Sequence, residues 1–247
     1  MAKTTTPGKV GLRSGGKPRS LVDEAYEQIK EKVITLFFLP GQYLSEAALC
    51  AQLKLGRTPV HQALQRLQVE GLVEVLPRKG VIVQPESLGE ILKILDSRLA
   101  VEPELARSAA RRVKAGEVGK EQLADLEALA GEHEASPGAP DLNAFTINDR
   151  AFHRELAVLS GNSIMGDFAR TLHERSTRFW YLNLWQTIDV GATNRQHAMI
   201  ADAVAAGDED EAGRHMLEHI HALRERLLKL QKMAPTPGRF PTIEPKS

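Results

Sequence analysis

The chain has 247 residues, 42% hydrophobic and 26% charged, which is enough apolar material for one large or two modest globular domains and excludes collagen-like, mucin-like and disordered chains. Thirty-two Lys and Arg balance thirty-two Asp and Glu, so a surface basic all over for nucleic acid is excluded; the single thiol, Cys50, excludes an intrachain disulfide, a multi-cysteine zinc ribbon and an iron–sulfur cluster, and fits a reducing cytoplasm. The balance is uneven along the chain: up to Glu86 twelve Lys and Arg face eight Asp and Glu, an excess of +4, and the remainder carries -4, as two domains with different partners would.

Residues 1–19 carry Lys3, Lys9, Arg13, Lys17 and Arg19 among Thr, Gly, Ser and Pro, with too little apolar surface to offset the entropy of ordering; a disordered basic tail is expected, and neither secretion nor membrane spanning. Leu21, Val22, Ala25, Ile29, Val33 and Leu36 recur at helical spacing until Leu39-Pro40-Gly41 stops the pattern. Ser45, a suitable N-cap, opens a second short helix with Ala48, Leu49 and Leu53 on one face, ending near Lys54. In GRTPVHQALQRLQVEGLV, Pro59 suits a first helical turn, and Val60, Ala63, Leu64 and Leu67 form an apolar stripe that Gly71 terminates. LVEVLPRKGVIVQP then reads as two short strands around a cationic tip, Pro77-Arg78-Lys79-Gly80. Three helices and a hairpin are the plan of a winged helix-turn-helix, placed at residues 20–85.

Past Pro85 no stretch alternates like a strand. Helical periodicity continues almost to the end, broken by Gly116, Ser136-Pro137-Gly138, Gly161-Asn162, Gly191 and Gly207-Asp208, which predicts about six helices. The expected fold class is mainly α: the winged head, then an all-α bundle of six or seven helices over 86–232, with a loose Pro-rich tail at 233–247.

A helix-turn-helix sets its second helix in the major groove, where the N-terminal residues reach base edges and phosphates. Those residues are Arg57, Thr58 and His61, with Gln62, Gln65 and Arg66 further along the polar side and no acid before Glu70. Arg78 and Lys79, with Gly80, form a wing tip able to reach an adjoining groove or backbone. Any one of these side chains fits an ordinary solvated surface; their joint pattern points to double-stranded DNA. On these residues the chain resembles the winged-helix domain of GntR-type bacterial transcription regulators: the R-T-P-V core, the A-L-x-x-L run, the E-G-L-V close and the late Gly of the wing stand in the family's places. Gly56 replaces the usual Ser and His61-Gln62 the usual Arg-Glu, departures that bear on operator preference.

Seven of eight histidines follow residue 130: His133, His153, His173, His197, His215, His219 and His221. In NDRAFHRELAVLSGN, Asp149 and His153 stand four apart, on one helical face, where they could share a divalent ion. That spacing alone fits a hydrogen-bonded His153 and a surface Asp149 better. His197 and one of His215, His219 and His221 could complete an imidazole-rich site, and spacing does not choose among the three. Residues 88–231 resemble the helical effector domain, FCD, of FadR-like GntR regulators in its metal-containing form. The resemblance implies Asp149, His153, His197 and His219 as ligands and leaves His173, His215 and His221 at the surface or behind the ligands. Zinc is the expected ion, with nickel or manganese as alternatives. A small carboxylate effector would take the open positions. Arg98 corresponds to an Arg that faces the effector in similar proteins, although an exposed pairing with Glu102 at i,i+4 fits it equally. Arg178 is expected to line the pocket, within a segment, TRFWYLNLW, that reads as core or dimer contact.

The resulting expectation is a cytoplasmic homodimer that binds a palindromic operator and is released by its effector. Two alternatives are a regulator that senses the metal itself and a metal-dependent hydrolase. Against the hydrolase, the chain has no H-E-x-x-H, no G-x-S-x-G and no phosphate-cradling Gly loop.

Overall fold

The protein is described by a computed structural model covering residues 20–77, 79–131, 142–183 and 189–233. Both expected tails (the C-terminal one beyond Met233), Arg78, His133 and the Ser136-Pro137-Gly138 break lie outside the described residues. The chain divides into two compact units between Gln84 and Pro85, with Val33–Pro40 counted in the second.

Helix α1 (Leu21–Ile34) ends two residues earlier than its apolar spacing suggests, and Leu36 takes a left-handed φ of 61° before Pro40. Helix α2 (Glu46–Leu53) starts at Ser45, whose Oγ accepts from the Ala48 N–H at 3.4 Å, and closes on Lys54 at φ 56°. Helix α3 (Arg57–Val69) is preceded by Gly56, which has no side chain to cap it, so the departure from the family's Ser leaves one helix-end donor without that partner. Its stripe of Val60, Ala63, Leu64 and Leu67 is fully buried.

Strands β2 (Val73–Leu76) and β3 (Gly80–Val83) form the expected antiparallel hairpin, in register from Val73 opposite Val83 to Leu76 opposite Gly80. A strand that the sequence reading misses, β1 (Tyr43–Leu44), pairs on the other side of β3, giving the order β1-β3-β2. Two residues are too few to show a period of two. Gly80 has a structural reason to be glycine: its φ is +114°, and a Cβ there would lie 2.5 Å from the Tyr43 Oη and 2.8 Å from the Leu44 carbonyl oxygen.

The second unit is helical among the described residues: α4 (Leu88–Lys114), α5 (Lys120–Gly131), α6 (Leu142–Leu159), α7 (Ser163–Asn183), α8 (Val190–Ala205) and α9 (Glu209–Met233). Ser87 caps α4 by accepting from the Glu90 N–H at 3.2 Å. Gly116, Gly161 and Gly207 adopt positive φ at the breaks, as expected. Gly191 does not mark one. It lies in the first turn of α8, whose cap is Asp189, accepting from the Ala192 N–H at 2.8 Å. Helix α4 touches α6, α7, α8 and α9, so it is the axis of the bundle. Ile91, Leu95, Ala106, Phe152, Leu156, Ile200, Met216 and Ile220 form the core, joined by Phe179 and Trp180 of the aromatic segment. Burying each large aliphatic side chain contributes about 1.5–3 kcal/mol.

Candidate functional site

Within that apolar core sits a polar cluster. Asp149 and His153 come one turn apart from α6, His173 from α7, His197 from α8, His219 from α9, and Arg98 and Glu102 from α4. His197 stands two turns into α8. The His153, His197 and His219 rings lie 4.8–5.4 Å apart by centroid, and each offers one ring nitrogen within 4.8 Å of the other two. Asp149 Oδ1 lies 3.5 Å from His197 Nε2 and 4.0 Å from His153 Nε2.

The rings are held from behind. His153 Nδ1 lies 2.9 Å from Glu102 Oε2, and because a carboxylate only accepts, this nitrogen carries the proton. His219 Nδ1 lies 3.0 Å from Gln196 Oε1 in the same sense. The His197 ring stacks on Phe152 at 4.2 Å with 17° between planes. His173 Nε2 donates to Asp149 Oδ2 at 3.0 Å, leaving Oδ1 on the side of the other imidazoles.

The consequence is an unusual deficit: among the described residues, Nε2 of His153, of His197 and of His219 is buried without a hydrogen-bond partner. Three imidazole nitrogens close together beside a carboxylate oxygen are a donor set that could hold a divalent cation. Leaving such groups unpaired in a core costs about 1–3 kcal/mol each. Protonation states agree. Burial lowers His197 to about 3 and His173 to about 4, and takes His219 well below its ordinary value. Burial would raise Asp149, but the neighbouring His173, His153 and His197 outweigh it and hold the carboxyl well below the usual range. Neutral imidazoles and an ionised carboxylate are the forms that ligate metals.

Of the other expected residues, His173, assigned to the surface or behind the ligands, is 4% exposed and stands behind Asp149. His221 is exposed, and His215 sits near Glu211 and Glu218, away from the cluster. Arg98 does pair with Glu102 at i,i+4, but both are buried: Nε reaches Oε1 at 2.5 Å, Nη2 reaches Oε2 at 3.2 Å and Nη1 reaches Ser176 Oγ at 2.9 Å. Arg178 donates from Nε to Glu86 Oε2 at 2.9 Å and also from Nη2, while Arg175 Nε donates to Glu86 Oε1 at 3.2 Å. Both expected effector arginines thus pair with carboxylates of the chain itself. The contact of Glu102 with His153 and the parts played by Glu86 and Gln196 went unread, because single carboxylates and amides give no periodic signal of what they meet across the bundle.

In the first unit Arg57, Thr58, His61, Gln62 and Lys79 are exposed. His61 Nδ1 lies 2.9 Å from Glu46 Oε1 of α2. Arg66 faces α1: its Nη1 donates to Asp23 Oδ1 at 2.8 Å and its guanidinium lies 3.8 Å over the Tyr26 ring, so it braces α3 against α1.

Residues 21–83 match "Bacterial regulatory proteins, gntR family" and residues 93–222 match "FCD domain". The Nta operon transcriptional regulator of Aminobacter aminovorans is 28% identical over 203 residues, 82% of this chain and 92% of its own. The HTH-type transcriptional repressor GlaR of Escherichia coli (strain K12) is 26% identical over 201 residues, 80% of this chain and 91% of its own. The solved structure of E. coli McbR/YncC has a TM-score of 0.74 at 19% identity, over 87% of this chain and 100% of its own, a likeness of fold. No helix of the described residues is long and apolar enough to cross a membrane. The chain belongs to the GntR family of bacterial regulatory proteins, with an FCD domain following its winged helix-turn-helix, and is a transcription regulator rather than an enzyme.

Proposed function

We propose that the protein is a homodimeric repressor whose hold on a palindromic operator is released by a small organic acid bound at a divalent cation in the helical domain. The ligands in this reading are Asp149, His153, His197 and His219, and zinc is the ion, with nickel or manganese as alternatives. The observation that carries it is the set of three buried Nε2 atoms without partners among the described residues, two of them within 4.0 Å of Asp149 Oδ1. When bound, the cation supplies a positive centre with positions open to a carboxylate. The chain's own residues do the rest: Glu102 and Gln196 present the lone pairs, His173 turns Asp149, and Phe152 stacks on His197.

Arg57, Thr58, His61 and Gln62 are the proposed contacts of the recognition helix, with Arg78, Lys79 and Gly80 at the wing tip. Repression is favoured because GlaR and a second relative, RspR of E. coli, are named as repressors. Release requires the acid to bind the operator-free arrangement more tightly than the operator-bound one. The test is a screen of small carboxylates by thermal shift on zinc-loaded and on chelator-stripped protein, followed by operator titrations with each hit. An acid that raises the melting temperature only with metal and weakens operator binding supports the reading. Zinc alone altering operator affinity, with no carboxylate effect, would make the metal the signal.

A further inference from the structure

Buried side by side in the bundle, Arg98 and Glu102 are 1% and 3% exposed, and an ion pair taken out of water rarely stabilises a core by itself. This pair has a third member. Glu102 Oε1 accepts from the Arg98 Nε–H at 2.5 Å, and Oε2 faces both Arg98 Nη2 at 3.2 Å and His153 Nδ1 at 2.9 Å. Ser176 Oγ accepts from Arg98 Nη1 at 2.9 Å, and its own hydroxyl donates to the His173 carbonyl at 2.8 Å, so α7 fixes the guanidinium from the far side. Three of the five guanidinium N–H groups are thereby used.

We infer that Glu102 is a positioning residue of the metal centre, and that Arg98 serves it. Its carboxylate fixes the proton of His153 on Nδ1, aims the Nε2 lone pair at the point shared with His197 and His219, and makes that nitrogen a stronger donor. Arg98 holds Glu102 ionised and immobile. The inference rests on the metal site proposed above and adds a carboxylate–imidazole–cation relay, a kind of partner whose loss elsewhere lowers metal affinity 10–100-fold.

The experiment uses the full chain, stripped with a chelator and reloaded with zinc or cobalt(II). Zinc affinity is measured by competition with a chromophoric chelator for wild type, Glu102→Gln, Glu102→Leu and His197→Ala. Glutamine still accepts from Nδ1 but carries no charge, and leucine does neither, so affinity should fall in the order wild type, Gln, Leu, with Leu about 10–100-fold below wild type. The cobalt(II) visible spectrum should change in the same order. Ring nitrogen NMR of the metal-free protein should find His153 in the Nδ1–H form in wild type and a mixture of forms in Glu102→Leu, a readout that a packing role for Glu102 would not move. If Arg98 without its carboxylate unfolds the domain, Arg98→Met with Glu102→Leu removes both charges together and should show the same losses. Loss of zinc in His197→Ala with unchanged affinity and tautomer in Glu102→Leu would overturn this inference alone. Wild type that takes up no metal, or His197→Ala that binds as wild type does, would overturn the metal site.

Discussion

Acid should destabilise the metal-free protein through His173, and the size of the effect follows from its burial. Enclosed beside His153 and Arg98, this imidazole is held at about 4 in the folded chain against 6.5 when unfolded. Above the unfolded value both states are neutral and nothing is lost. Between 6.5 and 4 the unfolded chain binds a proton that the folded chain refuses, so stability falls as pH falls, and the loss levels off once the folded imidazole also titrates. One such group amounts to about 3 kcal/mol at pH 4. The loss is not multiplied over His197 and His219, because protonating one imidazole raises the cost of protonating its neighbours. The assay is urea unfolding of chelator-stripped protein at intervals from neutral pH to about 4, for wild type and His173→Asn. Asparagine can still donate toward Asp149 Oδ2 but takes no proton. The variant should lose distinctly less stability over this window. Parallel pH profiles for the two proteins would refute the assignment of acid sensitivity to His173.

Replacing His153 and His219 together by Ala should abolish metal in the purified protein, read by elemental mass spectrometry, along with any thermal shift caused by carboxylates; stoichiometric metal in the variant would dismiss the ligand set. Arg57→Ala should weaken operator binding and lower the salt slope by about one if the side chain meets a phosphate, or relax one base preference if it reads guanine, whereas an unchanged titration would remove it from the interface. Gly80→Ala should cost about 1–3 kcal/mol in a thermal or urea melt, because of its positive φ, and adding Tyr43→Ser should not restore it, since the Leu44 carbonyl oxygen also blocks the Cβ. Full rescue by the second substitution would place the whole cost on the Tyr43 ring.

Local signals carried the first unit far. Ser45 caps α2, Pro59 sits in the opening turn of α3, and the Val60 to Leu67 stripe is buried, because caps, prolines and apolar periodicity act within a few residues. β1 escaped because its two residues are defined by their partner Ile82 and Val81 and by nothing of their own. In the second unit the positive-φ glycines marked most helix ends, and Gly191 misled because Asp189 two residues earlier supplies the cap. The site divides the same way. Asp149 and His153 announce themselves by i,i+4 spacing, whereas the contacts of Glu102 with His153, of His173 with Asp149 and of Arg178 with Glu86 span different segments of the bundle and leave no mark in spacing. Family resemblance named four ligands; the residues that aim them needed coordinates.

Cores gain stability from apolar contact, and here three imidazole nitrogens are buried with nothing to accept. On the proposed reading such a cluster would weaken the fold until a cation bound, and Asp149, His153, His197 and His219 would then hold it, so that metal affinity would add to folding. His197 is the sharpest place to separate the two effects, since its ring is 1% exposed and stacked on Phe152. In the stripped protein His197→Leu should hold or raise the melting temperature, because an apolar side chain of similar size replaces an unsatisfied polar one. Zinc at a thousandfold excess over its dissociation constant should stabilise wild type by about 4 kcal/mol and leave the variant nearly unmoved. A stripped His197→Leu protein markedly less stable than wild type would mean that the imidazole has a partner in the core already and that the site has no need of a cation.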